Sequence, residues 1–213
     1  MALLLVVAAL AGLVPARAEE SVDIAPRRLD EIERRYGDEA RERVVDWRLL
    51  VRDHRKDDEW DKLEAVNDFF NECRFVDDIE HWKKADYWAT PMEMLVTGAG
   101  DCEDFSIGKY FTLIEMGVPS AKMLITYVKA LELNQAHMVL TYYETPDAEP
   151  YVLDNLVDDI EPASDRDDLQ PIYSFNAEGL WLAKERGRGR SVGGADRLSL
   201  WNEMNERMKA ERQ

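Results

Sequence analysis

The sequence predicts an α+β protein in which helices pack on an antiparallel sheet. Two observations carry that reading. Apolar residues recur every three or four positions through residues 26–115, the period of an amphipathic helix, and through residues 122–183 the period drops to two. A short loop at 131–135 joins two of the period-two runs, which suits a hairpin and so an antiparallel sheet. The 213 residues, 46% hydrophobic and 33% charged, suffice for one domain with a sizeable core and do not describe a disordered chain.

Each element has its own signal. Residues 2–14 are apolar and end in Pro15-Ala16-Arg17-Ala18, an A-x-A cleavage pattern, so residues 1–18 are expected to be a cleaved export signal. That run is too short to span a bilayer well, and the mature protein is expected outside the cytoplasm. Leu29, Ile32 and Tyr36, then Val44, Trp47, Leu50 and Val51, predict two surface helices broken near Gly37-Asp38. A third helix is expected from Trp60 to Cys73, burying Leu63, Val66, Phe69 and Phe70. Thr90-Pro91 with Glu93 reads as a helix start. A helix opening near Cys102 carries Ile107, Tyr110, Phe111 and Ile114 on one face and stops at Gly117-Val118-Pro119. Strands are expected at 122–130, 136–144, 150–154, 171–175 and 179–183, rich in Val, Leu, Tyr and Thr. Residues 186–194 read as a flexible linker and 196–212 as a last helix with Leu200, Met204 and Met208 on one stripe. The expected organisation is a signal over 1–18, one domain over 19–185, and a linker with a helix over 186–213.

A net charge of −17 argues against a nucleic-acid partner, because nothing neutralises phosphates. The chemistry concentrates in Gly100-Asp101-Cys102-Glu103-Asp104, a cysteine among three carboxylates at the head of a predicted helix. Helix N-termini lower a thiol's pKa and offer N–H donors to an oxyanion. His137 and Asp154 follow on predicted strands, and the order Cys, His, Asp is what a thiol hydrolase or acyltransferase needs. Asp154 follows an apolar strand and suits a buried orienting carboxylate better than Asp158 or Asp159. His54 and His81 lie in charged stretches and read as surface residues. The flanking acids raise a thiol's pKa. They form either a site for a hard cation, which would cancel their charge, or a solvated acidic turn. The two cysteines either pair across an oxidising compartment or leave Cys73 packed as a small hydrophobe on its helix. The second arrangement, with two free thiols, is the one expected.

Asp86-Tyr87-Trp88-Ala89-Thr90-Pro91, the Cys102 motif, Gln135-Ala136-His137-Met138-Val139-Leu140, Leu153-Asp154-Asn155-Leu156 and Ser174-Phe175-Asn176 together resemble the bacterial transglutaminase-like cysteine proteinases. The resemblance covers about residues 60–183. It implies a papain-like, transglutaminase-like fold, with Cys102 as nucleophile, His137 as base and acid, and Asp154 as orienter. It implies Ca2+ held by Asp101, Glu103 and Asp104, with further ligands from the segment after Pro119, where Ser120 and Ala121 offer no carboxylate. Trp88 either lines the oxyanion region, as a Trp does in transglutaminases, or packs in the core. The implied activity is that of a calcium-dependent periplasmic cysteine endopeptidase. Its substrate would be a large surface adhesin, cut near its N-terminus at a paired-alanine motif to disperse a biofilm. The implied partner is an inner-membrane cyclic di-GMP receptor of the LapD kind. Acyl transfer to an amine, and a non-catalytic partner-binding domain, are the alternatives. The intact Cys102, His137 and Asp154 speak against the second.

Overall fold

The computed structural model describes residues 24–182 and 189–211. The expected signal over 1–18 therefore lies outside the described residues. So does the first part of the expected linker. Among the described residues no helix is long and apolar enough to cross a membrane.

Helices come first. α1 (Pro26–Tyr36) and α2 (Asp38–His54) meet at the expected break, α1 opening with Pro26 in its first turn. α3 (Glu59–Asn71) starts at Asp58, whose side chain accepts the Asp61 N–H. It ends two residues before Cys73, so Cys73 is not on the helical stripe, although it still packs against the core. β1 (Arg74–Phe75), α4 (Asp78–His81) and α5 (Pro91–Thr97) follow. α5 begins with the expected Thr90–Glu93 capping box. β2 (Ala99–Gly100) pairs in parallel with β1, a short non-local pairing with no sequence signal, and leads into α6 (Cys102–Glu115).

The sheet then forms from β3 (Met123–Ala130), β4 (Gln135–Tyr142), β5 (Tyr151–Leu153), β6 (Glu161–Pro162), β7 (Leu169–Asn176), β8 (Gly179–Leu182) and β9 (Arg190–Gly193). Its order is β6-β5-β4-β3-β7-β8-β9, antiparallel throughout. Arg190–Gly193, expected inside a flexible linker, instead pairs with β8. α7 (Ser199–Glu211) closes the chain. It buries Trp201 as well as Met204, and Trp201 stacks on Phe111 with ring centroids 5.5 Å apart. The last segment is thus built into the core.

α6 is the central helix. It packs on β3 and β4 on one side and on α3 and α5 on the other, and Ile107, Tyr110 and Leu113 are fully buried. One face of the sheet gives Met123, Ile125, Leu140, Leu153 and Phe175 to this core. Val128, Val139 and Val152 form a smaller cluster on alternate strand positions. The expected α+β architecture, helices on an antiparallel sheet, is the observed one.

Candidate active site

Local rules place Cys102. Gly98 ends α5 in the left-handed region (φ 63°), where a side chain would be strained. The β1–β2 pairing fixes the next two residues, and Asp101 becomes the N-cap of α6 in extended conformation. An N-cap Asp ordinarily accepts an N–H of the first turn, but Asp101 makes no such bond, which leaves its carboxylate for other work. Gly100 permits a close approach: a Cβ there would sit 2.6 Å from Asp104 Oδ2.

The Cys102 thiol donates to Glu103 Oε2 at 3.0 Å. The backbone amide of Met138, the residue after His137, favours the thiolate. Burial first, then the Glu103 charge, push the thiol's pKa upward, and the Met138 amide opposes them. His137 is buried on β4, and its Nε2 lies 2.7 Å from Asp154 Oδ1. Asp154, and not Asp158, is therefore the carboxylate that meets His137. Its Oδ1 also accepts the Leu156 N–H, and its Oδ2 accepts from Arg166 at 2.7 Å. Burial alone would raise the Asp154 pKa, but His137, Arg166 and the Leu156 amide overcome it and hold the value at about 2. The Asp154 carbonyl is gripped as well, by Asn71 Nδ2 and Lys109 Nζ, each at 3.0 Å.

Arg166, Asn71 and Lys109 were not expected here. Arg166 stands in the acidic run Asp165-Arg166-Asp167-Asp168, and nothing local marks it as a partner of Asp154. Lys109 is a lysine inside a core helix, which is the one sequence sign available. His54 bonds Asp57 at the surface, and half-buried His81 bonds Thr97 Oγ1, so neither meets this site. Cys73 and Cys102 are both free thiols.

The acids divide differently from the expected trio. Asp78, Asp101 and Asp104 each offer an oxygen within 4.8 Å of the others, and Asp78, Asp86 and Glu103 form a second such group. Asp78 belongs to both. Asp101 and Glu103 still interact, since the Glu103 charge helps to raise the Asp101 pKa. Asp78 and Asp86 are the added carboxylates. In the segment after Pro119, the Ser120 hydroxyl bonds that of Tyr110, eight positions along α6 from Cys102, and neither cluster of acids includes a residue of that segment.

These acids fit a hard cation. Asp78 Oδ1, Asp101 Oδ1 and Asp104 Oδ2 are buried with no hydrogen-bond partner, one from each member of the first group. Desolvation first, and then neighbouring carboxylates, raise all three pKa values, that of Asp78 to about 6. Buried oxygens that lack both donor and counter-charge are what a divalent ion with oxygen ligands satisfies. Trp88 is buried and stacks on Phe175 at 5.4 Å, as a core aromatic does.

The family model of the bacterial transglutaminase-like cysteine proteinases matches residues 36–173. The chain belongs to this family. The solved structure of Legionella pneumophila LapG is similar at 44% identity and a TM-score of 0.75, over 87% of this chain and 98% of that one. A calcium-bound form of Legionella LapG matches at 45% identity and a TM-score of 0.75, over 87% and 99%. An EGTA-treated form is similar at 44% identity. No protein of curated function matches the chain at a significant level. The papain-like, transglutaminase-like reading of the fold agrees with these likenesses.

Proposed function

We propose that this proteinase is a calcium-dependent periplasmic endopeptidase with Cys102 as nucleophile, His137 as base and acid, and Asp154 as orienter. The buried His137–Asp154 pair on β4, the strand against which the Cys102 helix packs, is the observation that carries this reading. Asp154 engages Nε2, which leaves Nδ1 for the thiol proton. The thiolate attacks a peptide carbonyl, and the C–N bond breaks as the imidazolium protonates the leaving amine. Water, deprotonated by the same ring, then hydrolyses the thioester. The first backbone N–H groups of α6 have no helical acceptor and are available to the oxyanion. Asp154 stays ionised throughout because Arg166 pairs with it.

Asp78, Asp101 and Asp104, with Glu103 and Asp86 beside them, would hold Ca2+. The bound ion supplies positive charge that offsets the carboxylates around the thiol. LapG likeness and the motif resemblance support a large surface adhesin, cut near its N-terminus, as substrate. They also support a cyclic di-GMP receptor of the LapD kind as partner and export through residues 1–18. The test incubates the purified mature chain with a candidate adhesin N-terminal region, with calcium and with chelator. Cleavage only in calcium, and none by a folded Cys102→Ala variant, is the expected result. Wild-type cleavage by Cys102→Ala would sink the assignment.

A further inference from the structure

The proposed chemistry makes no use of α7, yet that helix grips the loop on which the acids rest. Residues 86–90 face the acids on one side. The Ala89 N–H donates to Asp104 Oδ1 at 2.6 Å, and the Tyr87 N–H donates to Asp78 Oδ2. On the other side Arg207 of α7 donates through Nη2 to the Trp88 carbonyl and through Nε to Glu93 at 3.3 Å. Its guanidinium carbon lies 4.3 Å from the centre of the Tyr87 ring. One turn on, Glu211 accepts from Thr90 Oγ1 at 2.7 Å.

The Trp88 carbonyl and the Ala89 N–H are opposite ends of one planar peptide unit. Arg207 holds one end, and the other end points at Asp104. A donor on the carbonyl also polarises the N–H and strengthens its bond to the carboxylate. The platform is firm, because buried Trp201 and Met204 fasten α7 to the core.

We propose that Arg207 is a positioning residue that sets cation affinity by fixing, through the Trp88–Ala89 peptide, the carboxylate of Asp104. This rests on the reading of Asp78, Asp101 and Asp104 as cation ligands. The carboxyl-terminal helix thereby becomes part of the site, although the family match ends at residue 173.

The experiment uses the mature chain with Arg207→Ala, Arg207→Lys and, as control, Lys209→Ala, whose side chain pairs with Glu206 on the exposed face. Calcium uptake is measured by calorimetry with the metal alone, and amide exchange of residues 86–90 is measured in chelator. Arg207→Ala should weaken calcium binding roughly tenfold or more and speed Ala89 exchange by a similar factor, the scale of one lost charge-assisted hydrogen bond. Arg207→Lys keeps the charge but cannot span both Trp88 and Glu93, and should fall between. If Arg207→Ala does not fold, Arg207→Lys decides: wild-type affinity with wild-type exchange overturns the proposal. Lys209→Ala should change neither readout. Normal calcium uptake by a folded Arg207→Ala chain overturns the role given to Arg207 alone. A wild-type chain that takes up no calcium overturns instead the metal reading and the affinity claim with it, and Ala89 exchange then reports separately whether Arg207 holds the peptide.

Discussion

At the scale of single residues, Asp154 is held on every side that matters. Oδ1 serves His137, Oδ2 serves Arg166, and the carbonyl serves Asn71 and Lys109. Asp154→Asn keeps the shape but favours the wrong imidazole tautomer. It should slow cleavage by up to about four orders of magnitude, as in the serine-protease triad, read as kcat on the folded variant. Arg166 is 3% exposed at its side chain and also forks onto Asp168 at 2.9 and 3.0 Å. Arg166→Gln leaves Asp154 charged and buried without its cation, and breaking such a pair costs about 3–5 kcal/mol of stability. Activity per folded molecule should also fall, through kcat more than KM, because the orientation of His137 is lost and no substrate contact is removed. Urea unfolding and steady-state kinetics on the same preparation check this. Unchanged kcat in a destabilised but folded variant would reduce Arg166 to a structural role.

At the scale of elements, the join between α6 and α3 decides how the helix that carries Cys102 is seated. Gly108 lets the two helices approach: a Cβ there would come within 2.3 Å of the fully buried Phe70 ring. Gly108→Ala is accordingly expected to destabilise the fold by about 1–3 kcal/mol, the usual cost of overpacking, seen as a lower unfolding midpoint. One position on, Lys109 bridges Asn67 Oδ1 of α3 (2.8 Å) and the Asp154 carbonyl. Burial lowers its pKa to about 7 from 10.5, against the opposing pull of Asp154, Asp158 and Asp68. Between those two values the unfolded chain binds the proton and the folded chain does not, so stability should rise with pH from about 7 toward 10.5. Unfolding midpoints across that window, in saturating calcium, should show the rise in the wild type and lose it in Lys109→Met. An identical slope in the variant would show that another group titrates there.

At the scale of the whole molecule, calcium should behave as a stabilising ligand. Three buried carboxylates with unpartnered oxygens oppose folding until a cation joins them. Binding to the folded state alone adds stability by mass action, about 2.7 kcal/mol at a hundredfold excess over Kd. The unfolding midpoint should climb with calcium and drop in chelator. Asp78→Asn should abolish most of that climb, although Asp78 lies well outside the cysteine motif. A midpoint indifferent to calcium would overturn the reading of these acids as a cation site.

The break at Gly37-Asp38, the Thr90–Glu93 cap, the Cys102 helix and five of the seven strands of the sheet are legible in the sequence alone. These depend on local periodicity and end chemistry, which neighbouring residues carry. The sequence also singled out Cys102, His137 and Asp154, since nucleophile, base and orienter need particular side-chain types and each sits in a distinctive motif. Asp101, Glu103 and Asp104 were legible as an acidic cluster, but their grouping was not. Which oxygens converge depends on where α4 and the 86–90 loop pack, and that brought in Asp78 and Asp86. Arg166 reaches Asp154 across 12 positions, Lys109 across 45, and Arg207 reaches Trp88 across 119. No local rule ties such pairs, because their meeting follows from how sheet, helices and the carboxyl-terminal segment close around one core. For the same reason β9 carries no strand signal in the sequence: Arg190–Gly193 has little strand propensity of its own and is a strand only because β8 offers it an edge.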